Sequence, residues 1–169
     1  AETGEVTKEA SEVYVAYIGE QGYTTLEAAI KAANEGDTIN LTAGEFTTAG
    51  EFRSTKSLTF VGARANQTTW TIGDLNTHVN GEANGDYSFE NAENITFKNM
   101  TLKNASDAAD VVLGNGGDED LTVTFAAGSK AKNVTVRNYK NGVVNDLTVN
   151  GPVTAAEGIS LINDEADLR

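Results

Sequence analysis

The sequence predicts an all-β solenoid that begins with a single α-helix. Three observations support this fold class: one amphipathic segment near the start, a β-rich hexapeptide pattern that recurs along the rest of the chain, and Asn or Gly residues that close most copies of it. One turn of about 20 residues cannot bury its inward side chains alone, whereas stacked turns share a continuous apolar column.

Length and composition limit the function classes. The 169 residues suit one domain, and 12 Lys+Arg against 25 Asp+Glu give a net charge of -13. Such an acidic chain repels phosphate backbones and anionic lipid, so we expect no nucleic-acid partner. No apolar run approaches the roughly 18 residues that a membrane span needs, so we expect no membrane insertion. The absence of Cys excludes disulfides and thiolate metal sites. Together with the high acidity, it favours an exported bacterial protein. The first residues lack a Met or signal-peptide pattern, which suggests a trimmed product or an excised module.

The first elements are a strand and a helix. Residues 1–22 form an N-terminal strand segment, in which Val13 to Ile18 is rich in β-branched and aromatic residues. Residues 23–36 form a capping helix, predicted from about Thr25 to Glu35, with one apolar stripe made of Leu26, Ala29, Ile30 and Ala33. Thr24 and Glu27 have the spacing of a capping box, and Gly36 suits a left-handed helix end.

Residues 37–169 carry the repeat. Its members read polar, aliphatic, Thr, apolar, polar, and they begin at Ser57, Asn94, Asn99, Asp120, Asn133 and Asp146. Strand alternation directs the aliphatic and apolar positions inward and the Thr outward. The pattern predicts that Leu58, Ile95 and Val134 lie above one another. The capping helix would cover the first turn.

The segment from Tyr23 to Gly62 resembles a known family. Its Leu-Glu-Ala-Ala-Ile helix, Gly-Asp-Thr-Ile-Asn-Leu strand, Gly-Glu-Phe turn and Leu-Thr-Phe-Val-Gly strand are similar to the N-terminal cap and first turns of the right-handed parallel β-helix, or pectin-lyase-like, superfamily. The resemblance implies a single-stranded right-handed parallel β-helix, a fold that hosts both enzymes and adhesins.

The resemblance also implies what a catalytic member would carry. Lyases of this kind use clustered acids with an Arg base, yet Arg137 and Lys98 have no outward Asp at their register. Paired Asp residues beside a Gly-His-Gly segment are absent as well. The sequence therefore favours a protein without enzymatic activity, although a small pectate-lyase-like enzyme acting on acidic polysaccharide stays an alternative.

Candidate binding residues cluster in and around a long polar segment. Residues 73–86 contain too few apolar side chains for a buried turn, and we expect them to protrude as a loop, where binding sites concentrate. The only imidazole lies there between two acidic residues, and aromatic side chains flank it. The candidate ligand-binding residues are Trp70, Asp74, His78, Asp86, Tyr87 and Tyr139. A core position is the competing interpretation for Trp70.

One further segment suggests a metal. Asp118 and Asp120 follow a Gly-rich stretch and form a weak candidate for a Ca²⁺ site, since carboxylates and carbonyls in Gly-rich turns bind that ion. A solvated loop explains the same residues. We therefore expect no obligatory cofactor, with Ca²⁺ as the alternative.

These observations predict a non-catalytic module, secreted or at the cell surface. It would bind a glycan or a host or partner protein, or serve as a rigid part of an adhesin. The last residues, from Asp164 to Arg169, are too polar to seal an apolar column. Self-association through the C-terminal end is therefore expected as an alternative to a continuation of the chain.

Overall fold

A computed structural model describes eight segments of the chain: residues 12–48, 56–72, 93–104, 112–115, 121–132, 134–139, 147–150 and 159–164. The N-terminal half contains β1 (Ala16–Ile18), β2 (Gln21–Tyr23), α1 (Leu26–Ala32), β3 (Thr38–Leu41), β4 (Gly44–Thr48), β5 (Leu58–Val61) and β6 (Thr68–Ile72). The rest contains β7 (Asn94–Lys98), β8 (Thr101–Asn104), β9 (Val112–Asn115), β10 (Leu121–Phe125), β11 (Lys130–Lys132), β12 (Val134–Tyr139), β13 (Leu147–Asn150) and β14 (Ile159–Asp164).

The largest sheet is mixed. Its seven strands lie in the order β13-β10-β7-β5-β3-β1-β2. The five strands from β13 to β3 pair in parallel, whereas β1 runs antiparallel to both β2 and β3. A two-residue loop led by Gly19, with a φ of 58°, joins β1 to β2 as a Gly-first hairpin turn does.

Two further sheets are parallel. The four-stranded sheet has the order β11-β8-β6-β4, and a three-stranded sheet has the order β14-β12-β9. From β3 onward, strands that follow one another in the chain therefore lie in different sheets, and each pairs with strands distant in sequence. In the two larger sheets, more buried positions alternate with more exposed ones, so one face lies toward the core and the other toward solvent.

The predicted fold class is corrected by this topology. The structure is a mixed α/β fold with one helix in its described residues, not the expected all-β solenoid in the form of a right-handed parallel β-helix. The sequence pattern missed the antiparallel β1–β2 hairpin, which makes the largest sheet mixed. The expectation of an adhesin depended on the β-helix, and nothing in the structure supports secretion or an adhesin role.

Helix α1 is shorter than predicted, and its cap lies one residue later. Thr25, not Thr24, is the N-cap, and its hydroxyl accepts from the backbone N–H of Ala28 at 3.1 Å. The helix ends at Ala32, where the Ala33 N–H still bonds to the Ala29 carbonyl at 2.9 Å. The predicted left-handed Gly36 has a φ of 80°, but it follows the helix in a separate turn. The buried face of α1 packs against β1, β2 and β4.

Aligned side chains from the two larger sheets form the core. In the seven-stranded sheet, Phe60, Phe97 and Phe125 occupy one register, with ring centroids 5.7 Å and 5.4 Å apart. All three are buried at 1% exposure or less. In the four-stranded sheet, the register runs through Phe46, Trp70, Leu102 and Ala131. The aromatic rings of the two sheets are in contact, since the ring centroids of Trp70 and Phe60 lie 4.8 Å apart.

One predicted alignment is found and another is wrong. Leu58 and Ile95 are partners in register, and Val123 continues the line. Val134 belongs to β12 in the three-stranded sheet, where it pairs with Ile159. The same alternating pattern occurs on strands of both sheets, so the pattern alone did not distinguish them.

Candidate ligand-binding face

The structure describes only some of the residues of the predicted site. Asp74, His78, Asp86 and Tyr87 lie outside the described residues, as do the calcium candidates Asp118 and Asp120. Tyr139 is the last residue of β12, in register with Asp164 of β14. Ligand binding and calcium binding by these residues therefore stay predictions.

Trp70 lies in the core. Its side chain is 0% exposed, and its Nε1–H donates to the Thr48 hydroxyl at 3.0 Å. The ring also meets Phe97 edge-on, with centroids 6.1 Å apart. A ring enclosed in this way packs the two sheets together and offers no face to a ligand in this arrangement.

The solvent-facing side of the seven-stranded sheet carries aligned hydroxyl groups. Four neighbouring parallel strands place a threonine at the same register: Thr38, Thr59, Thr96 and Thr124. Thr38 is exposed and the other three are partly exposed. Because neighbouring strands lie about 4.8 Å apart, the row spans roughly 14 Å. Each hydroxyl can donate one hydrogen bond and accept others.

A second row on this face runs across β1, β3, β5 and β7. Tyr17 of β1 lies beside Asn40 of β3, and Asn40 lies beside Val61 of β5. Lys98 of β7 ends the row. This row thus contains an aromatic ring, an amide, an aliphatic side chain and one cation.

Two tyrosines form the end of the face; we call Tyr14 and Tyr17 the tyrosine platform. Their rings meet edge-to-face at 76°, with centroids 6.1 Å apart. Tyr14 is 40% exposed, and its hydroxyl donates to a Glu12 carboxylate oxygen at 3.4 Å. Tyr17 is partly exposed.

A glycine holds the tyrosine platform in position. Gly22 of β2 is the register partner of Tyr17, so a side chain at Gly22 would share the face with the platform. A β-carbon built there would lie 2.5 Å from Cγ and Cδ2 of Tyr14. The Tyr14 ring therefore lies directly over the backbone of β2. It can do so because Gly22 has no side chain that would occupy this space.

Sequence reasoning did not identify the tyrosine platform. The aromatic residues that the sequence singled out are Trp70, Tyr87 and Tyr139, whereas Tyr14 and Tyr17 belong to the N-terminal strand segment. The signal that was present is the Gly19–Glu20 pair between two short β-rich stretches. It predicts a hairpin that places Tyr17 opposite Gly22.

Two properties follow from the described residues alone. No group of three or more His, Cys, Asp or Glu side chains within them is arranged to hold a metal ion. No helix in the same segments has the length and apolar character that crossing a membrane requires.

No family model matches the chain, and neither a curated protein nor a solved structure matches it. The resemblance to the pectin-lyase-like superfamily therefore stays a prediction.

Proposed function

We propose that this chain is a non-catalytic module that binds a neutral glycan on the solvent-facing side of its seven-stranded sheet. The tyrosine platform carries the proposal. Exposed aromatic rings stack on the apolar C–H faces of sugar rings, and their hydroxyl groups add a polar edge. Tyr14 and Tyr17 present two such rings, fixed by the close approach of Tyr14 to Gly22.

The polar side chains beside the platform complement a sugar. Asn40 is exposed next to Tyr17 and offers an amide with both donors and an acceptor. Thr38 precedes it by two residues on the same strand face and begins the threonine row. A rigid sheet keeps these groups in place before the ligand arrives, which limits the entropy lost on binding.

Charge favours a neutral rather than an acidic ligand. The chain has a net charge of -13, which repels polyanions at long range. Among the described residues, the charged groups along this row and beside the platform are Lys98, at the far end, and Glu12, whose carboxylate accepts from the Tyr14 hydroxyl and repels an acidic sugar there. A neutral oligosaccharide avoids the repulsion and still uses the rings, the amide and the hydroxyls.

The test uses the full chain and a panel of neutral hexasaccharides: cellohexaose, xylohexaose, mannohexaose and maltohexaose. Titration calorimetry should detect binding of at least one of them. Tyr14→Ala and Tyr17→Ala should each weaken that binding about tenfold or more, which corresponds to about 1.4 kcal/mol. Tyr14→Phe keeps the ring and should retain most of the affinity.

The control variants address the candidates outside the described residues. His78→Ala and Tyr87→Ala should leave hexasaccharide binding unchanged. If they abolish it while Tyr14→Ala does not, the glycan site lies in the segment around His78. If no hexasaccharide binds, the proposal of a neutral-glycan module is wrong.

The alternative of an enzyme acting on acidic polysaccharide is tested separately. Polygalacturonate incubated with the chain and Ca²⁺ would yield unsaturated products that absorb in the ultraviolet if a lyase were present. Sustained release of such products, lost in Asp74→Asn or His78→Ala, would replace the binding proposal.

A further inference from the structure

A group of lysines lies on the solvent-facing side of the four-stranded sheet. Lys103 belongs to β8, and Lys130 and Lys132 belong to β11; we call these three side chains the lysine patch. Lys132 is the register partner of Lys103, and Lys130 is the partner of Thr101. Ala131, between the two β11 lysines, is 4% exposed, so strand alternation directs Lys130 and Lys132 to the same outer face.

The spacing within the lysine patch follows from sheet geometry. Lys103 and Lys132 lie on neighbouring strands, about 4.8 Å apart along the hydrogen-bonding direction. Lys130 and Lys132 are two residues apart on one strand, or about 6.6 Å. Lys130 and Lys132 are exposed and Lys103 is partly exposed. Three ammonium groups therefore reach solvent from a small area.

This arrangement is unfavourable for the protein alone. Like charges directly opposite each other on neighbouring strands destabilise a sheet. Among the described residues on this face, the acidic side chain is Glu45 of β4, at the far strand of the sheet. Lys103 on β8 lies two strand spacings, or about 10 Å, from β4, and β11 lies three spacings, or about 14 Å, from it. Even the shorter distance exceeds the Debye length of about 8 Å at physiological salt, so Glu45 compensates the patch little.

The lysine patch contrasts with the chain as a whole. The sequence contains 12 Lys+Arg against 25 Asp+Glu. Concentrating three of these cations on one face, with two in register, creates a local positive surface on an acidic protein. Such a surface attracts anionic groups.

We propose that the lysine patch is a docking site for an extended acidic peptide segment of a partner protein. Alternate side chains of an extended peptide project on one side at about 6.6 Å, the separation of Lys130 and Lys132 along β11. A peptide lying along β11 thus places two carboxylates on these lysines. Lys103, in register with Lys132 on the neighbouring strand, pairs with the same carboxylate as Lys132.

Charge density favours a peptide over a nucleic acid. Duplex DNA carries one negative charge per about 1.7 Å of its axis. A long polyanion of that density extends beyond the lysine patch and meets the repulsion of a chain whose net charge is -13. A short acidic segment limits its contacts to the patch.

The experiment measures fluorescence anisotropy of a labelled nine-residue peptide of alternating glutamate and serine, with the full chain as titrant. Binding should weaken at least fivefold in each of K103Q, K130Q and K132Q, and it should fall steeply between low and physiological salt. A peptide with glutamine in place of glutamate should not bind. K31Q, which removes one charge from α1 at a distance from the patch, is the matched control and should bind like the unaltered chain.

A stability measurement separates binding from folding. Because K132Q removes the in-register repulsion with Lys103, its thermal midpoint should equal or exceed that of the unaltered chain. Weaker peptide binding by a variant that is at least as stable supports a docking role. The proposal would be overturned if K103Q, K130Q and K132Q bound the peptide as tightly as the unaltered chain. It would also be overturned if K31Q lost as much affinity as these three variants.

Competing polyanions decide the class of partner. If a single-stranded DNA 12-mer or a heparin octasaccharide binds more tightly than the peptide and loses affinity in the same lysine variants, the acidic-peptide proposal is wrong. Failure of the peptide to bind overturns it without bearing on the tyrosine platform, which lies on a different sheet.

Discussion

The aromatic ring of Tyr14 occupies the space that a side chain at residue 22 would need, because residue 22 is glycine. A β-carbon at Gly22 would come within 2.5 Å of two ring carbons and 3.0 Å of a third. All three distances are to one ring. This single contact couples the sequence of the β1–β2 hairpin to the orientation of an exposed aromatic side chain.

The contact makes Gly22→Ala a specific test of the tyrosine platform. The backbone of β2 is extended, so alanine is tolerated there in itself, but its methyl group must displace the Tyr14 ring. We expect hexasaccharide affinity to fall about as far as in Tyr14→Ala, with a change in the free energy of unfolding within about 1 kcal/mol. Titration calorimetry and urea denaturation measure the two effects.

The control for this substitution is Glu20→Ala in the neighbouring hairpin turn, where the side chain is exposed. It should leave affinity unchanged. Unchanged affinity in Gly22→Ala would show that the position of the Tyr14 ring does not matter for ligand binding.

The buried positions were the most predictable part of the fold. Alternation in the hexapeptides predicts inward Leu58, Phe60, Ile95 and Phe97, and each is buried at 2% exposure or less. Period-two alternation is a local property that depends only on the strand itself. Which sheet a strand joins is a long-range property, and Val134 shows that the same alternation occurs in another sheet.

The fold class and the helix cap illustrate the same limit. Thr24 and Thr25 both precede the helix, and only the chain path into α1 decides that Thr25 caps it. The mixed sheet arises because β1 pairs antiparallel with β3, a contact between segments more than twenty residues apart. Neither choice is encoded in the local spacing of apolar residues.

The tyrosine platform was missed for a similar reason. Tyr14 and Gly22 approach each other only after the hairpin has formed. A list of aromatic residues gives no reason to prefer Tyr14 over Tyr87. The hairpin, with the glycine opposite Tyr17, supplies that reason.

The hydrogen bond between Trp70 and Thr48 predicts a stability difference between two small substitutions. Thr48→Val keeps the size of the side chain but removes the hydroxyl that accepts the 3.0 Å hydrogen bond from Trp70 Nε1. We expect a loss of about 1–3 kcal/mol in the free energy of unfolding. Thr48→Ser keeps the hydroxyl and should lose less.

Because the sequence contains one tryptophan, its fluorescence during urea denaturation reports this site directly. If Thr48→Val unfolds at the same urea concentration as Thr48→Ser, the bond does not contribute measurably to stability.

The phenylalanine stack predicts a large effect at its centre. Phe97 lies between Phe60 and Phe125, is 0% exposed, and also meets Trp70. Phe97→Ala should reduce the free energy of unfolding by about 3–5 kcal/mol, since it removes a large buried ring and leaves a cavity. Phe46→Ala, at a half-buried position on β4, is the comparison and should cost less. Equal losses would mean that the stack is no better packed than the sheet margin.

The corner at Asn99 predicts a ranking of three substitutions. Asn99 is the described non-glycine residue with a positive φ, at 53°, and its side-chain oxygen would lie 2.5 Å from a β-carbon built at Gly128. Asparagine tolerates the left-handed region and glycine adopts it freely. Alanine or valine in this region costs about 1–2 kcal/mol of conformational free energy. The loss in the free energy of unfolding, measured by urea denaturation, should therefore be smallest for Asn99→Gly, larger for Asn99→Ala and largest for Asn99→Val, because a β-branched side chain fits this region worst.

The control is Asn66→Ala, which removes the same side chain at an exposed position whose φ is not positive. It should change the free energy of unfolding by less than about 0.5 kcal/mol. If Asn99→Ala proves as stable as Asn99→Gly, the backbone angle is not what selects asparagine at this corner.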